Sequence, residues 1–143
     1  MKENKMHIPL SRKLTTTIIK KGTDFTDEVS SAIKEQGITL QQFNALRILR
    51  GRNGKPASLQ DVSKDMIHAN SNTTRVIDKL VTKKLVKRVQ CPSDRRQIEI
   101  TITQEGLNLL TILDHQVDEK ESEITQNLND EEKKRLIALL MKL

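Results

Sequence analysis

Apolar residues recur at helical spacing along nearly the whole chain, and that spacing is interrupted once, between residues 85 and 103. Residues 10 to 35 set Leu10, Leu14, Ile18, Phe25, Val29 and Ile33 at steps of four or seven, one face of a long helix. Leu107, Leu110, Leu113, Val117, Ile124 and Leu128 repeat the pattern in a second long helix, which Thr103 can cap and which runs to about residue 128. The interruption has a different period: LVKRVQC (85–91) and QIEITIT (97–103) are β-branched, partly alternating and separated by a polar PSDRR tip. That is the pattern of a β-hairpin. The pattern therefore predicts a helical protein with one small β element. Its only aromatic residues are Phe25 and Phe43, so the core is built from Leu, Ile and Val with some Met.

Turn and cap signals divide the rest. Gly22 weakens the middle of the first helix, and Gly37 ends it. Thr39 caps a second helix that runs to about residue 51 and contributes Leu40, Phe43, Leu46 and Leu49, and GRNGKP (51–56) is a turn. Ser58, with Asp61 in capping-box position, opens a short third helix that turns Leu59, Val62 and Met66 inward. After a break at residues 67–70, residues 71–84 form a fourth helix with Thr73, Ile77 and Leu80 on its inner face. Two short helices about a tight turn make a helix-turn-helix, and the hairpin that follows is its wing. Asn129 with Glu132 is a further capping box, opening a terminal helix with Leu136, Leu139, Leu140 and Leu143. The expected fold is mainly α with a small β wing. A helical dimerisation region (1–36 and 104–143) encloses a winged helix-turn-helix lobe (37–103) in one domain of 143 residues.

Charge is concentrated in that lobe. Residues 50–100 hold twelve Lys or Arg against five acids, whereas the remainder of the +6 chain sums to −1. A basic middle between near-neutral flanks suits a phosphate-binding module set in an assembly scaffold; the plainer alternative is a solvated basic surface. The lean apolar content also predicts that some apolar surface is buried between subunits. No apolar run approaches a membrane span, and MKENKMHIPL lacks a charged-then-apolar signal segment, so a cytoplasmic protein without a membrane role is expected. The lone Cys91 cannot form an internal disulfide, and His7, His68 and His115 are too scattered to predict a metal site. No cofactor is indicated. No nucleophile, base and orienting group converge, so no catalytic activity is expected.

Major-groove reading calls for a narrow helix that presents short donors and acceptors with a long cation at its leading end. Asn70, Ser71, Asn72 and Thr74 are suited to phosphates or base edges, and Arg75 to a bidentate contact with guanine. Each alone is equally an ordinary helix-start residue; together, on a basic helix after a turn, they point to double-stranded DNA. Lys79, Lys83, Lys84, Lys87 and Arg88 form a cationic run read as phosphate contacts, or as a solvated helix end complementing the helix dipole. At the wing tip, Asp94 beside Arg95 and Arg96 is positioned to hold a guanidinium by charge-assisted hydrogen bonds, and an arginine so held can enter a narrow minor groove. A turn-closing ion pair alone is the alternative there.

From Val62 to Gly106 the chain resembles the central segment of the MarR (multiple antibiotic resistance regulator) family. The helix-turn-helix ends in Thr-Arg-x-x-Asp-x-Leu (Thr74, Arg75, Asp78, Leu80), and Leu85-Val86 opens the wing. The Asp-x-Arg pair (Asp94, Arg96) and a closing Leu-Thr-x-x-Gly match, here Ile102-Thr103-Gln104-Glu105-Gly106, follow. The resemblance implies a homodimer whose first, fifth and sixth helices interlock, with two recognition helices in successive major grooves of a pseudo-palindromic site, half-sites about 10 base pairs apart or somewhat more. It further implies Arg96 as the minor-groove residue oriented by Asp94, and a repressor released by a small aromatic effector bound between the dimerisation helices and the DNA-binding lobe.

The chain departs from the family pattern in places. Lys84 stands where a glycine is usual before the wing, so the turn either avoids a left-handed residue or carries strain. Ala69 occupies a usual cap position, which shifts the expected cap to Asn70 or Ser71, and Ser63 replaces a usual alanine. His68 stands at an ordinarily apolar turn position. Cys91 reads as a small packing residue of the wing rather than a redox switch. Two alternatives stay open: a winged-helix module that meets an acidic protein partner, and a DNA-binding protein that takes no ligand.

Overall fold

Local side-chain caps set the starts of five of the helices. In the computed structural model, which describes residues 7–68 and 72–143, Thr39, Ser58 and Asn129 each close a reciprocal capping box with Gln42, Asp61 and Glu132. The Thr103 hydroxyl accepts the Gly106 N–H. The elements are α1 (Leu10–Ile33), α2 (Leu40–Gly51), α3 (Leu59–Asp65), α4 (Thr73–Thr82), β1 (Val86–Gln90), β2 (Ile98–Ile102), α5 (Gln104–Ile124) and α6 (Asp130–Leu140). The order is that expected from the sequence. A single 3₁₀ turn (Lys34–Gln36) follows α1, and Gly37, at φ 69°, takes the left-handed conformation that ends it. At Asp61 the Ser58 backbone N–H, then its hydroxyl, hold the carboxyl below the usual carboxylate range.

α1 runs unbroken through Gly22, because one glycine lowers helix propensity without removing a hydrogen bond. Two expectations are corrected. The fifth helix stops at Ile124 rather than near residue 128: the Thr125 hydroxyl turns back on the Glu121 carbonyl, and the polar Gln126–Asn127 stretch leads into the Asn129 cap. The fourth helix begins at Thr73 rather than at residue 71, because Asn72 supplies its cap by accepting the Arg75 N–H through Oδ1 at 3.2 Å.

The core draws on every element except α6. Ile33 from the end of α1, Phe43, Leu46 and Leu49 from α2, Val62 from α3, Ile77 and Leu80 from α4, Val86 and Ile100 from the hairpin, and Leu110, Leu113 and Val117 from α5 form one buried cluster. β1 and β2 pair antiparallel from Val86↔Ile102 to Gln90↔Ile98. Ala57 adds a bridge that the sequence did not signal: its N–H and carbonyl bond the carbonyl and N–H of Ile100 at 2.9 and 2.8 Å, tying the wing to the start of α3. The Arg50–Asp114 ion pair joins α2 to α5, and Lys120 reaches Glu28 at 3.6 Å to join α5 to α1. No helix among the described residues is long and apolar enough to cross a membrane.

Lys84 carries the strain that its position suggested. It sits at φ 63°, in the left-handed region where a Cβ is unfavourable, because the chain must reverse there so that Leu85 N–H can reach the Leu80 carbonyl at 3.0 Å. Lys84→Gly is expected to raise the free energy of unfolding by about 0.5–1 kcal/mol, relief of strain outweighing the added freedom of the unfolded chain. A higher urea midpoint would show it; a lower one would mean that the lysine side chain stabilises the turn by more than the strain costs.

Candidate nucleic-acid interface

The periodicity of α4 separates two faces. Thr73, Ile77 and Leu80 are buried, at successive helical turns, and face the core as expected. Thr74, Arg75, Asp78 and Lys79 lie on the outside, with Asn72 exposed at the leading end. Asn70 and Ser71, also expected to contact DNA, lie outside the described residues. Among the described residues Arg75 and Lys79 form no ion pair, so their charges are available to a ligand. Asn72 divides its side chain: Oδ1 caps the helix, leaving the amide nitrogen for an acceptor such as a phosphate oxygen.

The helix is fixed in place on several sides. Before it, the Ile67 N–H donates to Asn44 Oδ1 on α2 at 2.8 Å, pinning the turn of the helix-turn-helix. At its end Lys83 donates through Nζ to the Gly37 carbonyl, and to Gln42 Oε1 at 3.3 Å. On its outer flank Asp78 pairs with Arg88 of β1, which locks helix to wing. The cationic run is therefore corrected. Lys83 and Arg88 are engaged in holding the fold, whereas Lys79, Lys84 and Lys87 are exposed and without an ion pair among the described residues. Sequence spacing could not separate the two groups, because the partners are 10 to 46 positions away.

At the wing tip Arg95 and Arg96 are exposed. Asp94 Oδ1 accepts the Arg96 backbone N–H at 3.0 Å, while the Asp94 carbonyl accepts from Gln97 N–H. Among the described residues no ion pair joins Asp94 to either guanidinium. The expectation of a guanidinium held by the carboxylate is thus replaced by a backbone turn closed by it, the ordinary use of an aspartate two residues before an N–H. Cys91 is half-buried, its Sγ 3.2 Å from Ser93 Oγ, within the same tip.

A cavity opens between α1, α2, α5 and the turn before α4. It has a volume of about 200 Å³ and is lined by Phe25, Thr26 and Val29 of α1, by Leu40, Gln41, Phe43, Asn44 and Arg47 of α2, by Met66, Ile67 and His68 of the turn before α4, and by Val117 and Glu121 of α5. Its walls are mainly apolar. Arg47 lies over the Phe43 ring, 5.4 Å from the centroid. Sequence reasoning assigned Phe43 to the core and did not single out Asn44 or Arg47; only Arg47 carried a signal, one turn beyond Phe43 on the same face.

A sequence model of the MarR family matches residues 38–98, the span from just before α2 to the start of β2. The HTH-type transcriptional regulator MhqR of Bacillus subtilis (strain 168) is 30% identical over 100 residues, 70% of this chain and 68% of that protein. The HTH-type transcriptional regulator PecS of Dickeya dadantii (strain 3937) is 33% identical over 117 residues, 80% of this chain and 68% of that protein. Among solved structures, a mutant of MarR from E. coli complexed with operator DNA superposes with a TM-score of 0.80 at 24% identity, over 91% of this chain and 92% of that one. BpsR of Bordetella bronchiseptica, whose DNA binding is regulated by 6-hydroxynicotinic acid, gives a TM-score of 0.80 at 24% identity, over 91% and 97%. The arrangement of helices and wing agrees with these structures across most of the chain, and on its curated relatives the chain belongs to the MarR family of transcriptional regulators.

Proposed function

We propose that this regulator binds double-stranded DNA as a homodimer on a pseudo-palindromic operator, and that a small aromatic effector releases it. The observation that carries the reading is the outer face of α4, where Arg75 and Lys79 stand exposed beside a wing bearing Arg95 and Arg96. Asn70, Ser71, Asn72, Thr74 and Arg75 read the major groove; Lys79 binds phosphate; Arg96, with Arg95, enters the minor groove from a tip shaped by Asp94. Residues 37–103 form the DNA-binding lobe, and residues 1–36 with 104–143 the dimerisation region. Selection of the purified protein on a random duplex pool at two salt concentrations tests this. An enriched inverted repeat whose affinity falls steeply with salt supports it. If no sequence is enriched, specific DNA recognition by the ligand-free protein is excluded.

The cavity beneath the turn supports the effector reading, since its apolar walls suit an aromatic ring and Arg47 and His68 suit an acidic substituent. An occupant would touch both α2 and the turn that leads into α4, and so bear on the position of the recognition helix. Hydroxybenzoates and hydroxylated pyridine carboxylates are expected to raise the melting temperature, since a ligand at a hundred times its Kd stabilises by about 2.7 kcal/mol. Arg47→Ala is expected to weaken that binding about tenfold or more, through loss of a charge-assisted hydrogen bond. An unchanged affinity in the variant would remove Arg47 from the site.

A further inference from the structure

The chain that leads from α3 into α4 is anchored at each end by a buried side chain, Met66 and Thr73. Of the described residues between them, Ile67 is 76% exposed, and His68 and Asn72 are exposed as well. Side-chain packing therefore does not fix the path of the turn at Ile67. A hydrogen bond does. Asn44 Oδ1 accepts the Ile67 N–H at 2.8 Å, and among the described residues no other hydrogen bond joins residues 66–68 to α2. Asn44 is half-buried and also lines the cavity between α1, α2 and α5. It stands three positions before Arg47, another wall residue, and so on the same face of α2. Its amide nitrogen makes no hydrogen bond among the described residues. Asn44 is thus the one wall residue, among those described, whose side chain bonds the backbone of the turn.

We propose that Asn44 is the positioning residue through which the cavity acts on the recognition helix. In the DNA-binding state its Oδ1 holds the turn in the pose that presents α4; a hydroxylated aromatic acid seated against Arg47 takes that amide for itself and releases the turn. The inference rests on the effector reading and adds the atom at which the two sites meet. A primary amide suits the role, because its acceptor oxygen and its N–H donors rotate as one unit. The hydroxyl of the acid is a donor that competes with the Ile67 N–H for Oδ1, and its carboxylate, paired with Arg47, is an acceptor for the amide N–H. Satisfying both swings the side chain off the turn. Because Ile67 is exposed, its N–H passes to water, so the exchange leaves no buried donor unsatisfied. Acid and operator then oppose each other by one coupling factor, the same in either direction.

The test compares two full-length variants, each checked for native helix content by circular dichroism: Asn44→Leu, close in volume but without an acceptor, and Asn44→Asp, which keeps an acceptor oxygen at the same reach. Operator Kd is measured on the selected duplex with and without saturating 6-hydroxynicotinic acid or 2-hydroxybenzoic acid, and binding of each acid is followed by the melting temperature. Without acid, Asn44→Leu is expected to bind operator about tenfold more weakly than wild type, one hydrogen bond being lost in each of two subunits, and Asn44→Asp to stay within about threefold of wild type. Either acid is expected to weaken operator binding by wild type about tenfold and by Asn44→Leu less than about twofold, while raising the melting temperature of both, since Arg47 remains. The proposal fails if Asn44→Leu binds operator as wild type does, if Asn44→Asp is as weak as Asn44→Leu, or if the acids release Asn44→Leu as strongly as wild type; each outcome places the link elsewhere. If neither acid binds wild type, the effector reading of these acids falls and takes the coupling with it, whereas the acid-free Kd values still decide whether Asn44 positions α4.

Discussion

Arg75→Ala is expected to weaken operator discrimination about tenfold to a hundredfold while leaving the fold intact. The side chain is exposed on α4 and forms no ion pair among the described residues, so its removal leaves no buried charge and no core cavity. The backbone N–H of residue 75, which Asn72 caps, survives the substitution. A bidentate arginine–guanine contact is worth about 1–3 kcal/mol of discrimination, so the operator Kd should rise about tenfold to a hundredfold, and binding to unrelated duplex much less. Lys79→Ala provides the contrast. A phosphate contact carries no sequence information, so its loss should weaken all sequences alike and lower the slope of log affinity against log salt by about 1 per subunit. Titration of both variants against the selected operator and a scrambled duplex, over a salt series, separates the roles. Equal weakening of both duplexes by Arg75→Ala would reassign Arg75 to the phosphates.

What could be read from the sequence was what four consecutive residues, or one helical stripe, encode. Thr39, Ser58, Thr103 and Asn129 cap where they were expected to, because the cap and the N–H it accepts lie three positions apart. Thr73, Ile77 and Leu80 identify the inner face of α4 by spacing alone. What could not be read depends on distance in the chain. Arg50 meets Asp114 across 64 positions, Asn44 meets Ile67 across 23, and the backbone of Ala57 pairs with Ile100, a contact in which side-chain identity plays no part. The candidate site divides likewise. The exposed Arg75 and Lys79 were legible, whereas sorting the free lysines from Lys83 and Arg88 required knowing which carbonyls and carboxylates the fold brings near. Arg47 became a cavity residue only when α1, α5 and the turn after α3 closed around it.

The second large effect is expected at Gly106, where an added methyl group should destabilise the protein even though alanine is the better helix former. Gly106 is the third residue of α5, and in an unhindered helix Gly→Ala would add about 0.5–1 kcal/mol of stability. Here a Cβ would stand 2.3 Å from the Leu85 carbonyl oxygen and 2.7 Å from Ile102 Cγ1. The side chain of Ile102 has some freedom, but the Leu85 oxygen has little. It accepts the Thr103 N–H at 3.0 Å, while the Thr103 hydroxyl donates to the Lys84 carbonyl at 2.8 Å and accepts the Gly106 N–H at 3.1 Å. Moving the oxygen would disturb that network at the point where α4, β1, β2 and α5 converge. Gly106→Ala is therefore expected to cost about 2–3 kcal/mol, the upper part of the range for overpacking. Thr103→Ala, which removes the cap without adding volume, should cost about 1 kcal/mol. Urea unfolding of wild type and both variants, at one protein concentration so that any dimer linkage is held constant, measures the difference. A rise in stability for Gly106→Ala would mean that the Leu85 carbonyl yields freely and that the base of the wing is soft. The expected loss would mean that the strand-to-helix junction requires glycine for lack of space.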